Sequence, residues 1–213
     1  LAQTLGYQLL DSGALYRIVG LKAFEAGLLN VDGEQSIDEA ALLALTQSLQ
    51  IVFEPNSDSG RVDIIVNGAK IGEQVRNETV GGYASRVAVY PKVRQALLKL
   101  QQDMATQSGL VADGRDMGTV VFPDADVKVY LTASAKARAE RRVAQLLQAG
   151  QAADFEAILA TIKARDDRDE NRATAPSKPA EDALVLDSSK LDADAVYELV
   201  KKHCQDQGIC FNR

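Results

Sequence analysis

Apolar positions recur at two different spacings along this 213-residue chain. Tyr7–Leu10, Leu110–Asp113, Val127–Leu131 and Ala183–Leu186 are short, nearly continuous apolar runs bounded by turn residues, the pattern of buried strands. Between them the apolar spacing is three to four. Ala14–Ala26 sets Leu15, Ile18, Val19 and Leu21 within a helical repeat and stops at Gly27. Helices are also expected over Thr79–Val89, from Pro91 to about Gln107, over Ser134–Ala149 with Gly150 closing it, and from Phe155 to about Arg172. Asp192 should cap a last helix carrying Val196, Leu199 and Val200. Leu1–Leu5 reads as the final turn of a helix ended by Gly6.

The period changes in the middle of the first half. Ser36–Ser48 opens with a capping box of Ser36 and Glu39 and reads as a helix. Leu49–Glu54, Arg61–Val66 and Lys70–Val75 then read as strands, the last two joined by the hairpin dipeptide Asn67-Gly68. The expected fold is α/β: a parallel sheet with helices on both faces and a small antiparallel β insert. Ligands in such sheets bind beyond the carboxyl ends of the strands. The turns Asp11-Ser12-Gly13 and Gly114-Arg115-Asp116 fall at those ends.

Composition narrows the chemistry. Hydrophobic residues make up 46% and charged residues 25%, an ordinary globular balance. No run approaches the roughly 18 apolar residues of a membrane span and no signal peptide opens the chain, so the expectation is a cytoplasmic protein without a membrane partner. A net charge of -6 argues against nucleic acid as a partner. The cations are nevertheless clustered, as Arg138, Arg141 and Arg142, then Arg165, Arg168 and Arg172. His203 is the single histidine, and Cys204 and Cys210 are too far apart for a zinc knuckle, so neither a serine–histidine–acid triad nor a metal site is expected. Convergent arginine without a covalent nucleophile suits phosphoryl transfer, in which positioning and charge neutralisation carry most of the catalysis.

Each cluster has two readings. On a helix Arg165, Arg168 and Arg172 share a face, with Asp169 one turn after Arg165. Such a face is either solvated and laced by weak ion pairs or a clamp whose guanidinium forks grip phosphate oxygens. Arg138 and Arg142, one turn apart, carry the same ambiguity. Arg115 and Asp116, flanked by Gly114 and Gly118, read either as an exposed turn pair or as a site where backbone can approach a ligand closely. Ser12 and Arg17 read either as a cap and a surface charge or as a hydroxyl and a cation at a ligand edge.

Four segments resemble the bacterial cytidylate kinase family, in its order and spacing: LLDSGALYR at Leu9–Arg17, SRVAVYPKVR at Ser85–Arg94, LVADGRDMGTVVFPD at Leu110–Asp124 and KARDDRDENRATAP at Lys163–Pro176. ALVLDSS at residues 183–189 fits as well, and the insert at about 49–76 resembles the extended CMP-binding insert of the long bacterial form. The resemblance implies a P-loop nucleoside monophosphate kinase fold, with a core at 1–35, 77–133 and 173–213, a CMP-binding insert at 36–76 and a mobile lid at 134–172.

It also implies roles. Ser85, Arg94 and Asp116 would recognise cytosine, with Ser12 lining the same pocket. Arg17, Arg115 and Arg172 would hold the CMP phosphate, and Arg165 and Asp169 would contact the ribose. Arg138 and Arg142 fall to the ATP side, and Arg165 and Arg172 would stabilise charge during transfer. The implied reaction is phosphorylation of CMP or dCMP by ATP with Mg2+, carried out by a monomer. The family's opening strand and G-x-x-x-x-G-K-[ST] loop have no counterpart in these 213 residues, which contain no Gly-Lys dipeptide. That strand, expected at the centre of the sheet, and its loop are expected upstream of Leu1. The alternative is a non-catalytic CMP-binding chain.

Overall fold

The computed structural model describes residues 1–30, 37–56, 61–105, 109–171 and 176–211. The chain divides into two compact units, Ala2–Gly114 and Arg115–Arg213, the latter together with Leu1. Among the described residues, no helix is long and apolar enough to cross a membrane.

In the unit Ala2–Gly114, α1 (Ala2–Leu5) ends at Gly6, whose φ of 70° is open to glycine and strained for other residues. β1 (Gln8–Asp11) runs directly into α2 (Ser12–Glu25). The Asp11 side chain caps that helix by accepting from the Ala14 amide at 2.9 Å, so the cap is Asp11 and Ser12 is the first helical residue. Leu15, Ile18 and Val19 are fully buried. Gly20 lets α4 (Glu78–Val87) approach: a Cβ there would lie 2.8 Å from Tyr83 and from the Ala84 amide. Phe24 stacks on Tyr83 beside this contact, with ring centroids 4.8 Å apart.

α3 (Glu39–Ser48) begins later than the capping box implies. Its cap is Asp38, which accepts from the amides of Ala40 and Ala41, and Ser36 lies outside the described residues. The insert is antiparallel, as β2 (Ile51–Asn56), β3 (Arg61–Val66) and β4 (Ala69–Ile71) in the order β2-β3-β4. Asn67 and Gly68, at φ 50° and 78°, make the turn between β3 and β4. The third strand is shorter than its apolar pattern suggests, because the chain turns into a single 3-10 helix at Glu73–Arg76. α5 (Pro91–Asp103) starts with proline at its first position, and β5 (Leu110–Asp113) pairs parallel with β1, Leu10 opposite Ala112.

In the unit Arg115–Arg213 the chain first makes a π-type turn at Met117–Val121, which sequence spacing does not predict. β6 (Val129–Thr132) pairs parallel with β7 (Leu184–Asp187). α6 (Ala135–Gln148), capped by Ser134, and α7 (Phe155–Glu170), capped by Asp154, form a helical pair, and α8 (Ala193–Asp206) follows β7. The α/β class with parallel strands and a small antiparallel sheet thus holds. Its four parallel strands are hydrogen-bonded as two pairs, β1-β5 and β6-β7. Leu131 and Val185, on opposite faces of the β6-β7 pair, remain 55% and 56% exposed, whereas Leu10 on β1 is fully buried.

Candidate functional site

Five charged side chains gather on α7, α6 and the residue after Gly114. Asp169, 9% exposed near the end of α7, accepts an ion pair from Arg115 Nε at 3.2 Å and faces Arg165 Nε at 3.8 Å. The 165–169 pair is the one that helical spacing anticipates; the 115–169 pair is made by tertiary packing. The backbone carbonyl of Asp169 also accepts from the Ser177 amide at 2.8 Å, which ties Ser177 to the end of α7.

One turn earlier, Asp166 receives both forks of Arg138, Nη1 to Oδ1 at 2.9 Å and Nη2 to Oδ2. Arg138 Nε donates to the Ala133 carbonyl at 3.1 Å. Three of the five guanidinium donors are therefore used within the protein. The hydrogen bonds from Arg138 hold the Asp166 carboxyl below its ordinary range against the opposing effect of burial, and the charges of Arg138, Arg115 and Arg165 act in the same direction. The Arg138 guanidinium is correspondingly held above its usual value, chiefly by its hydrogen bond to Asp166. Arg115, Arg138, Asp166 and Asp169 line a single polar cleft with Tyr130 and Thr132 of β6. Such a cleft can bind an anion by exchanging carboxylate partners of the arginines for phosphate oxygens.

The remaining arginines of this unit divide. Arg141 bonds the Ser188 carbonyl and, at 3.1 Å, the Leu191 carbonyl, so it is a strut between α6 and the turn after β7. Arg142 sits part-buried one turn beyond Arg138. Arg172 lies outside the described residues. Asp116 is 5% exposed, and its carbonyl anchors the π-type turn by accepting from the amides of Val120 and Val121 at 2.9 and 3.2 Å.

Ser12, Arg17, Ser85 and Arg94 belong to the unit Ala2–Gly114. Ser12 is buried at the start of α2. Arg17 donates to the Val75 carbonyl at 3.0 Å and to the Asn77 carbonyl at 2.8 Å, which ties α2 to the end of the insert. A Cβ on Gly81 would come within 3.1 Å of the Arg17 guanidinium, so α4 packs tightly on that side chain here. Ser85 donates to the Gly81 carbonyl at 3.2 Å. Arg94 is 8% exposed, and its guanidinium carbon lies 5.6 Å from the centre of the Tyr16 ring, within cation–π range.

Sequence spacing did not single out Asp166, Lys128 or Tyr16. Arg138 and Asp166 are 28 positions apart on separate helices, so no periodicity joins them. Tyr16 stood inside a quoted motif, and its ring contact depends on how α2 meets α5.

Comparison with known proteins agrees with this architecture. Residues 1–206 match the family model described as cytidylate kinase. A cytidylate kinase of Pasteurella multocida is 52% identical over 196 residues, covering 92% of this chain and 83% of that protein. Cytidylate kinase 1 of Haemophilus influenzae is 48% identical over 211 residues, covering 99% of this chain and 88% of its own length. One from Pseudomonas aeruginosa is 47% identical over 208 residues, 98% of this chain and 88% of the relative. With a family model spanning nearly all of the chain and relatives near half identity, this protein belongs to the cytidylate kinase family of nucleoside monophosphate kinases.

Proposed function

We propose that this chain transfers the terminal phosphoryl group of ATP to CMP or dCMP, giving CDP or dCDP and ADP. The observation that carries the reading is the convergence of Arg115 and Arg165 on the nearly buried Asp169, which lines a cleft together with Arg115, Arg138 and Asp166. Cations already gathered and only partly exposed neutralise a phosphate with little reorganisation.

Role by role, Ser12, Ser85, Arg94 and Asp116 read the cytosine, whose N4 amine suits a carboxylate and whose O2 and N3 suit donors. Arg17, Arg115 and Arg172 hold the CMP phosphate, and Arg165 and Asp169 meet the ribose hydroxyls. A phosphate oxygen of CMP attacks the γ-phosphorus of ATP; that O–P bond forms as the bond to the ADP oxygen breaks, in line. Arg165 and Arg172 offset charge at the transferring group, and Arg138 and Arg142 serve the ATP side. The lid at 134–172 closes to exclude water. Magnesium supplies charge neutralisation as the counter-ion of ATP phosphates. Among the described residues no three His, Cys, Asp or Glu side chains cluster to hold a metal by themselves, so no step is assigned to it. The enzyme acts as a cytoplasmic monomer.

A coupled ADP-release assay with ATP, magnesium and CMP, UMP or AMP tests this. Turnover with CMP well above UMP and AMP is expected. Saturable CMP binding without turnover would replace the kinase reading with that of a CMP-binding protein, and no CMP binding would overturn both.

A further inference from the structure

The chain from Asp116 to Lys128 contains a nearly buried cation to which the proposed chemistry gives no role. The side chain of Lys128 is 9% exposed, and its ammonium donates to the Pro123 carbonyl at 2.5 Å and to the Asp182 carboxylate at 2.6 Å. We propose that Lys128 is a positioning residue that sets the preference for CMP over UMP, by holding Asp116 through the turn that separates them. The inference rests on the reading of Asp116 as the group that accepts from the cytosine amine.

The mechanical path is short and made of named contacts. Asp116 provides the carbonyl that starts the π-type turn, bonded by the Val120 and Val121 amides. Within the turn, Gly118 lies against the lysine stem: a Cβ at Gly118 would sit 3.2 Å from Lys128 Cδ and 3.3 Å from Cγ. The turn closes with the Phe122 amide on the Met117 carbonyl at 2.7 Å. The next residue, Pro123, is the one whose carbonyl the ammonium grips. Lys128 therefore braces the middle of the turn with its methylenes and its far end with its charge. The near end is Asp116, itself 5% exposed. On the other side, Lys128 is fixed by its carbonyl, which accepts from the Leu184 amide at 2.9 Å at the start of the β6-β7 pairing.

The Lys128 ammonium has two strong acceptors, a carbonyl and a carboxylate. π-type turns are uncommon and occur often at functional sites, where an extra residue re-aims a side chain. Here the residue that opens the turn is an aspartate, Asp116. Cytosine and uracil differ at C4, an amine in one and a carbonyl in the other. A well-placed carboxylate accepts from the amine and repels the carbonyl, so it discriminates by attraction and repulsion together. Both effects weaken when the carboxylate shifts. A mere staple of the fold would change stability, or both affinities equally, and leave the ratio alone.

The test is calorimetric titration of the whole chain with CMP and with UMP, on the unaltered protein and on Lys128→Met, Lys128→Arg, Gly118→Ala and Asp116→Ala. Lys128→Met keeps the stem and removes the charge; the CMP-over-UMP affinity ratio should fall by about tenfold. Lys128→Arg should recover part of that ratio, and Gly118→Ala should lower it by pushing the stem. An unchanged ratio in Lys128→Met with a lowered melting temperature would overturn the proposal and leave Lys128 a staple. If Asp116→Ala collapses the ratio while Lys128→Met does not, only this inference fails. If Asp116→Ala leaves the ratio intact, the reading of Asp116 fails with it, as it does if the unaltered chain binds no CMP. Should Lys128→Met not fold, Asp182→Asn removes one partner of the ammonium and is held to the same ratio.

Discussion

The ion pair between Arg138 and Asp166 yields a prediction that does not depend on substrate. Asp166→Ala removes two charge-assisted hydrogen bonds and leaves a part-buried guanidinium with only the Ala133 carbonyl among the three partners described above. Hydrogen bonds to charged groups contribute about 1.5–3 kcal/mol net. The side chains here are 34% and 23% exposed, so solvent screening brings the expected loss to about 1.5–2 kcal/mol at pH 7. For a chain of this size that is a fall of about 3–8 °C in melting temperature.

The pH dependence has a definite sign. The carboxyl of Asp166 is held below its ordinary value by Arg138, so its contribution is fully present above the unfolded value of about 3.9 and is lost as pH falls through the folded one. The gap between the unaltered protein and Asp166→Ala should therefore narrow in strong acid. Thermal melts of the unaltered chain, Asp166→Ala, Arg138→Ala and the double variant, followed by circular dichroism at neutral and acid pH, close a double-mutant cycle. A coupling of about 1–2 kcal/mol at neutral pH is expected. A coupling within about 0.3 kcal/mol of zero, or one that persists undiminished in acid, would refute the argument.

Two other substitutions probe different levels. Asp169→Ala should weaken CMP more than its deoxy and arabinose analogues in titrations, because the carboxylate is read as a ribose contact; equal losses for all sugars would remove that role. Gly20→Ala places a methyl 2.8 Å from Tyr83 and the Ala84 amide, so α2 and α4 must separate. It should destabilise by about 1–3 kcal/mol in a urea titration, and an unchanged midpoint would show that the helices part without cost.

What local chemistry governs was legible in advance. Glycines at Gly27 and Gly150 stop their helices at φ 72° and 71°, Asn67-Gly68 turns the hairpin, Pro91 opens α5, and Asp192 caps the last helix. Each depends on a few consecutive residues, so the sequence alone determines it. The errors arose where neighbouring positions competed. Asp38 took the cap assigned to Ser36, and the apolar run after Gly68 ended as a 3-10 turn, not as strand.

The residues of the candidate site were named from quoted motifs, yet motif spacing said nothing of their partners. That Asp169 serves Arg115 as well as Arg165, that Arg138 turns to Asp166 and Arg141 to the turn after β7, and that Lys128 lies under Gly118 are outcomes of packing. Spacing along the chain encodes backbone preference over one or two turns. The partner of a long cationic side chain is chosen by whichever element the burial of apolar surface brings within reach, and that is decided only when the whole unit folds.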